Sequence, residues 1–167
     1  MSGDIARFIA SIPEAVDIKD LAAAAAGARL QFGIHLAVLV EPYLSYIMDG
    51  TKTVESRFSR TKAAPYKQVR RGDAVLLKRS GGPVVGYCRV IEPMFLQLDA
   101  AVLAGIKKRY GREIRAPDSF WQEHEVSRYA TLLRIDGATP VSRPIAVAKR
   151  DQRGWIVLRA GAVKKLW

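Results

Sequence analysis

The chain has 167 residues, 49% hydrophobic and 26% charged, the composition of about one globular domain with enough apolar surface for a core. Its 27 Lys and Arg against 16 Asp and Glu give a formal net charge of +11 and a pI near 10.1, a balance that favours polyanionic partners through steering and counterion release. A single cysteine, Cys88, excludes an intrachain disulfide and a thiolate cluster, and two histidines far apart, His35 and His124, argue against a zinc site.

The longest apolar runs, Ala22 to Ala26 and Leu36 to Val40, are far short of the roughly 20 residues of a membrane span. The start lacks a basic n-region, and Asp17, Lys19 and Asp20 interrupt any signal-like core, so a cytoplasmic protein is expected.

Residues 1–33 read as a helical extension. Ile5, Phe8 and Ile9 have helical spacing, Pro13 marks a boundary, and a second helix is predicted from about Asp17 to Ala28. Four acids and three bases fall here, which leaves +12 on residues 34–167, the expected working domain. The extension is expected to pack on the back of that domain or to serve a homodimer.

His35 to Val40 is a short apolar run that reads as a buried strand, with His35 a structural residue at its edge. Glu41-Pro42 starts a helix whose apolar face is Tyr43, Leu44, Ile47 and Met48, and Asp49-Gly50 ends it. Tyr46 falls in its last turn. Then comes the central stretch, Gly50-Thr51-Lys52-Thr53-Val54-Glu55-Ser56-Arg57. Side chains two apart in a strand share a face, so Glu55 and Arg57 project together, while Lys52 sits at the turn and can lean over a cleft.

Residues 57–79 hold Arg57, Arg60, Lys62, Lys67, Arg70, Arg71, Lys78 and Arg79 against Asp73 alone, with Phe58 and Tyr66 interleaved. Cations with aromatics on a loop can follow a phosphate backbone and stack a base. After an Arg71-Gly72-Asp73 turn, Ala74 to Leu77 and Val84 to Val90 read as strands joined by a Ser80-Gly81-Gly82-Pro83 hairpin. Gly86 marks a bulge or tight corner, and Pro93 is expected to close this meander. A helix is predicted over Asp99 to Tyr110, ending in the basic cluster 107–109. A short one after Pro117 carries Phe120, Trp121 and a solvent-side His124. Tyr129 to Ile135, Pro140 to Ala148 and Trp155 to Leu158 are further strands. The sum is an α+β chain: a small mixed or antiparallel β-barrel of about six strands with flanking helices.

Gly50-x-Lys52-x-x-Glu55-x-Arg57 after a strand–helix unit, then Gly72-Asp73 opening a strand and a Gly-rich hairpin, resembles the ASCH (activating signal cointegrator homology) domain over roughly residues 35–160. The resemblance implies a PUA-like barrel and RNA binding. One group of such domains hydrolyses N4-acetylcytidine with a lysine that activates a threonine three residues on. Here that place is held by Glu55, and Thr51 and Thr53 have the wrong spacing, so an N4-acylcytidine amidohydrolase is disfavoured. The chain also resembles bacterial ASCH proteins that cleave RNA, which implies a site of Tyr46, Lys52 and Ser127. A lysine could stabilise the phosphorane or act as a base if burial and Arg57 depress its pKa. Tyr46 could donate a proton, and Ser127 could hold a non-bridging oxygen.

The expected function is therefore ribonuclease action on single-stranded RNA in a basic cleft. Glu55, Arg57, Arg60, Lys62, Tyr66, Lys67, Arg70, Arg71, Lys78 and Arg79 are its expected RNA-binding residues. The alternative is a non-catalytic reader of RNA or a modified nucleobase. No cofactor and no tightly bound metal are expected, and a weak dependence on divalent cations is left open.

Overall fold

A computed structural model describes residues 2–162. Among them α1 (Ser2–Ser11), β1 (Ala15–Asp17) and α2 (Ile18–Gly27) precede β2 (Ile34–Leu39), α3 (Tyr43–Met48), β3 (Val54–Ser59), β4 (Ala74–Arg79) and β5 (Val84–Gln97). Then follow α4 (Ala100–Ile114), α5 (Asp118–Glu123), β6 (Tyr129–Ile135), β7 (Thr139–Ala148) and β8 (Trp155–Arg159). The last five residues of the expected domain 34–167 lie outside the described residues.

The strands run β1-β7-β5-β4-β2-β8, with β6 joining β5 to β3. β1, β3 and β8 each have one neighbour, so the sheet is a curled half-barrel with open edges, an α+β fold of PUA-like type. Eight strands among the described residues exceed the expected six. The segments read from the sequence number seven once the Glu55–Arg57 strand is counted, and the eighth is β1, three residues with no pattern to read, which pairs in parallel with β7.

β5 makes the curl. Its first half pairs with β4 and β7, its second half with β6, and the register shifts between Val90 and Glu92. Pro93 therefore does not close the meander. Beyond Arg89 the strand has only β6 beside it, so the missing N–H can face an open side. Gly86 lies at the expected bulge, where a Cβ would stand 2.8 Å from Met48 and 2.9 Å from the Thr139 carbonyl.

Three apolar clusters hold the fold. Ile5, Phe8, Ile9, Ile12, Leu21 and Ala25 pack with Ile34, Leu36, Leu76 and Ile156 on one sheet face. The apolar faces of α1 and α2 thus pack on the back of the sheet, one of the two roles expected for the extension. Inside the curl, Ala37, Leu39, Ile47, Leu77, Leu133 and Trp155 form a second cluster. The third joins Val54, Ala130 and Leu132 to Leu103, Ile106, Ile114 and Trp121 of α4 and α5.

His35 is not an edge residue. It is fully buried, with its Nε2 2.9 Å from Asp73 Oδ2 and its Nδ1 receiving the Trp155 indole N–H at 3.2 Å. Because the indole only donates, the ring proton belongs on Nε2, donating to Asp73. Asp73 also accepts from the backbone N–H groups of Gly33 and Arg70. Burial would raise its carboxyl, but these bonds win and hold it below the usual range.

α4 begins at Asp99, whose side chain accepts from Val102 N–H at 2.8 Å. It runs through Tyr110 to Ile114, so the basic residues 107–109 are not at its C-terminus. Among the described residues no helix is long and apolar enough to cross a membrane, and no three His, Cys, Asp or Glu side chains converge as metal ligands.

Candidate functional site

The end of α3 sets the site. Asp49 N–H donates to Ser45 O, Gly50 takes φ +81° where other residues are strained, and Lys52 N–H returns to Tyr46 O at 2.9 Å. This reversal aims the Lys52 side chain at the C-terminus of α4, where Nζ donates to Ile114 O at 2.5 Å. Its next carboxylate is Glu55 Oε2 at 3.8 Å, and the Tyr43 ring centroid is 5.4 Å away. Lys52 is only 3% exposed. Burial, aided by the Arg57 charge and opposed by Glu55, lowers its pKa from the ordinary lysine value.

Glu55 and Arg57 do share a face of β3, with Arg57 Nε donating to Glu55 Oε1 at 2.8 Å. The rest of the guanidinium donates to Gly154 O and Val38 O at 3.1 and 3.0 Å and lies over Trp155. Arg57 thus ties β3 to β2 and to the turn before β8. A Cβ at residue 154 would stand 3.0 Å from its Nη1, so glycine there allows the approach.

These residues wall a cavity of about 280 Å³. Val38, Leu39 and Val40 line one side, Lys52, Glu55, Ser56 and Arg57 the floor, and Tyr43, Phe58, Phe120 and His124 the aromatic remainder. His124 is not solvent-side. Its ring is stacked on Phe58 (centroids 4.7 Å, 22°) and set edge-on to Phe120 (4.5 Å).

The proposed trio is only partly assembled. Lys52 lines the cavity. Ser127 reaches it through His124, its Oγ lying 3.3 Å from Nδ1. Tyr46 is not among the lining residues, and Arg115 covers its ring at 3.6 Å. The tyrosine beside Lys52 is Tyr43, one turn earlier.

Of the expected RNA-binding residues Glu55 and Arg57 line the cavity, while Arg60, Lys62, Lys67, Arg70, Arg71 and Arg79 are outside its lining. Tyr66 cannot stack a base as it stands: it is 5% exposed, packed on Phe95 and Tyr129. Lys78 is buried too, donating to Arg79 O. Sequence reasoning missed Tyr43, Phe120 and His124. The i, i+3 spacing of Tyr43 and Tyr46 was the available signal for the first, but nothing local places α5 over β3.

Residues 38–97 match the family model of the ASCH domain. The likeness to that domain covers these 60 of the 167 residues. The matched span holds Lys52, Glu55 and Arg57 and stops before α5 and Ser127, and the domain belongs to an RNA-binding superfamily. Among solved structures, the chain is similar to ASCH from Zymomonas mobilis, at 18% identity over 75% of this chain and 87% of that one, with a TM-score of 0.60. A serine-to-alanine variant of that protein matches at 18% identity over 77% and 90%, TM-score 0.61. A tyrosine-to-phenylalanine variant matches at 19% over 75% and 90%, TM-score 0.59. At such identities the likeness establishes the fold. Comparison with curated proteins gives no match.

Proposed function

We propose that the cavity takes one unpaired nucleotide of a single-stranded RNA and that Lys52 acts on its phosphodiester, making this chain a ribonuclease. The observation that carries the reading is the buried Lys52 ammonium on the floor of an aromatic-walled cavity. Aromatic walls offer stacking that is indifferent to sequence, and a cation held away from water acts strongly on charge developing at phosphorus. The basic run from Arg60 to Arg71 supplies counter-charge for the rest of the strand. Ser127 acts through His124 in this reading, and Tyr46 joins only if Arg115 swings off its ring on binding.

One observation favours the non-catalytic reader instead. The Lys52 ammonium already has a carbonyl and a carboxylate as neighbours, an arrangement suited to holding a polar base edge. The N4-acylcytidine amidohydrolase remains disfavoured, because Glu55 stands where the nucleophile would be and Arg57 engages it.

The test is incubation of a fluorescent single-stranded RNA with the wild type and with Lys52→Ala. Cleavage by the wild type and loss of it in the variant support the ribonuclease. Intact RNA with the wild type, bound equally well by the variant, sinks both the cleavage and the role of Lys52. Tight binding without cleavage, weakened by the substitution, supports the reader.

A further inference from the structure

His124 brings to the cavity an ionisable group that the Lys52 chemistry leaves unused. Its backbone N–H closes the end of α5 on Phe120 O and Trp121 O, and Ser127 N–H donates back to His124 O at 3.0 Å. This turn sets the Ser127 hydroxyl beside Nδ1 while Phe58 and Phe120 clamp the ring. The other nitrogen, Nε2, has no hydrogen-bond partner among the described residues. We propose that His124 is a catalytic residue of this cavity, taking the proton of the RNA 2′-hydroxyl on Nε2, with Ser127 as its positioning residue at Nδ1. The proposal rests on the ribonuclease reading.

The two cavity bases then have separate tasks. Lys52, tied to Ile114 O and flanked by Glu55, stays in place as a cation toward the phosphate. His124 moves the proton. As Nε2 takes the 2′-hydroxyl proton, the 2′-oxygen bonds to phosphorus and the bond from phosphorus to the 5′-oxygen breaks. That oxygen takes a proton from water, and the imidazolium neutralises the hydroxide formed. The products are a 2′,3′-cyclic phosphate and a 5′-hydroxyl.

A serine partner suits this task. The neutral ring that accepts on Nε2 carries its proton on Nδ1, and the Ser127 oxygen accepts from Nδ1–H before and after the transfer, so the ring stays oriented in both protonation states. Burial lowers the His124 pKa below the ordinary imidazole value, with Glu123 opposing, so the ring is neutral and able to accept a proton at pH 7. The charged and titratable groups around it are Glu123 at the end of its own helix and Tyr43, Lys52, Glu55 and Arg57 across the cavity.

The experiment compares the wild type with His124→Phe, which keeps the aromatic packing and removes both nitrogens, and with Ser127→Ala. A 5′-labelled single-stranded RNA is the substrate, and kcat, KM and the pH–rate profile are measured beside thermal melts. His124→Phe is expected to lower kcat by about 10²–10⁴-fold with KM unchanged, the usual worth of a positioned acid or base. The wild-type rate falls at acid pH as His124 gains its proton. That limb vanishes in His124→Phe and moves in Ser127→Ala. His124→Asn replaces the phenylalanine variant if the latter melts early. A wild type that cleaves RNA beside a folded His124 variant of unchanged kcat overturns this proposal and leaves the ribonuclease standing. A wild type that does not cleave overturns both.

Discussion

Arg57 is the residue whose removal separates cavity architecture from RNA contact. Arg57→Ala deletes the 2.8 Å bond to Glu55 and the two bonds to the carbonyls of Val38 and Gly154. It leaves a 9% exposed carboxylate to be satisfied by Lys52 alone. Bonds with an ionised partner contribute about 1.5–3 kcal/mol each when buried. The Arg57 side chain is 22% exposed and water can replace part of its work, so about 3 kcal/mol in total is the expected loss. For a chain of this length that lowers Tm by roughly 6–12 °C. Arg57→Lys keeps one donor group and should recover about a third of the loss. The assay is a thermal melt by near-ultraviolet circular dichroism, paired with an RNA titration. Arg60→Ala with Lys62→Ala should show the opposite pattern, a wild-type melt and weaker binding. An Arg57→Ala protein that melts within about 2 °C of the wild type refutes the reasoning, because a tie worth so little could not hold the wall.

Replacing Arg60, Lys62, Lys67 and Arg71 together with alanine should flatten the dependence of log K on log salt by about 0.7 for each phosphate the protein no longer neutralises. An unchanged slope in an RNA titration at several salt concentrations would place the strand elsewhere. Gly86→Ala should lose about 1–3 kcal/mol in a denaturant titration. Met48 can move away from the new methyl, but the Thr139 carbonyl cannot, so adding Met48→Ala should restore only part. The Asp73 carboxyl, depressed in the folded state, contributes stability that is present in full above its unfolded pKa of about 3.9 and is lost as the pH falls through the lower folded value. Asp73→Asn should melt lower at pH 7 and show a shallower fall in Tm between about pH 5 and pH 2, checked by melts across that range.

The floor of the cavity was legible in the sequence because its signals are local. A helix ended by Asp49-Gly50, a strand with period two, and Glu55 and Arg57 two apart are short-range facts, and the 2.8 Å pair follows from them. The Gly86 corner was legible for the same reason. The walls were not. His124 sits among Glu123 and Glu125, which reads as a solvent face, and it is Phe58, more than sixty residues earlier, that draws the ring inward. Tyr66 lies among cations and reads as a base-stacking residue, yet Phe95 and Tyr129 bury it. Pro93 reads as a strand end only if the strand is flanked on both sides, which the sequence alone does not reveal. In each case a contact across the fold outweighs the character of the neighbours in the chain.

The strand that bends at Val90 and Glu92 has a consequence for how the molecule comes apart. β5 gives its first half to one group of strands and its second to another, so neither group can melt without loosening the other's central rail. Opening should therefore be all-or-none through this part of the chain, with the amides of Val84 to Val90 among the last to exchange with solvent. The cavity is walled by β2 from one group and β3 from the other. Those two walls should therefore loosen together, in the transition that unfolds the sheet.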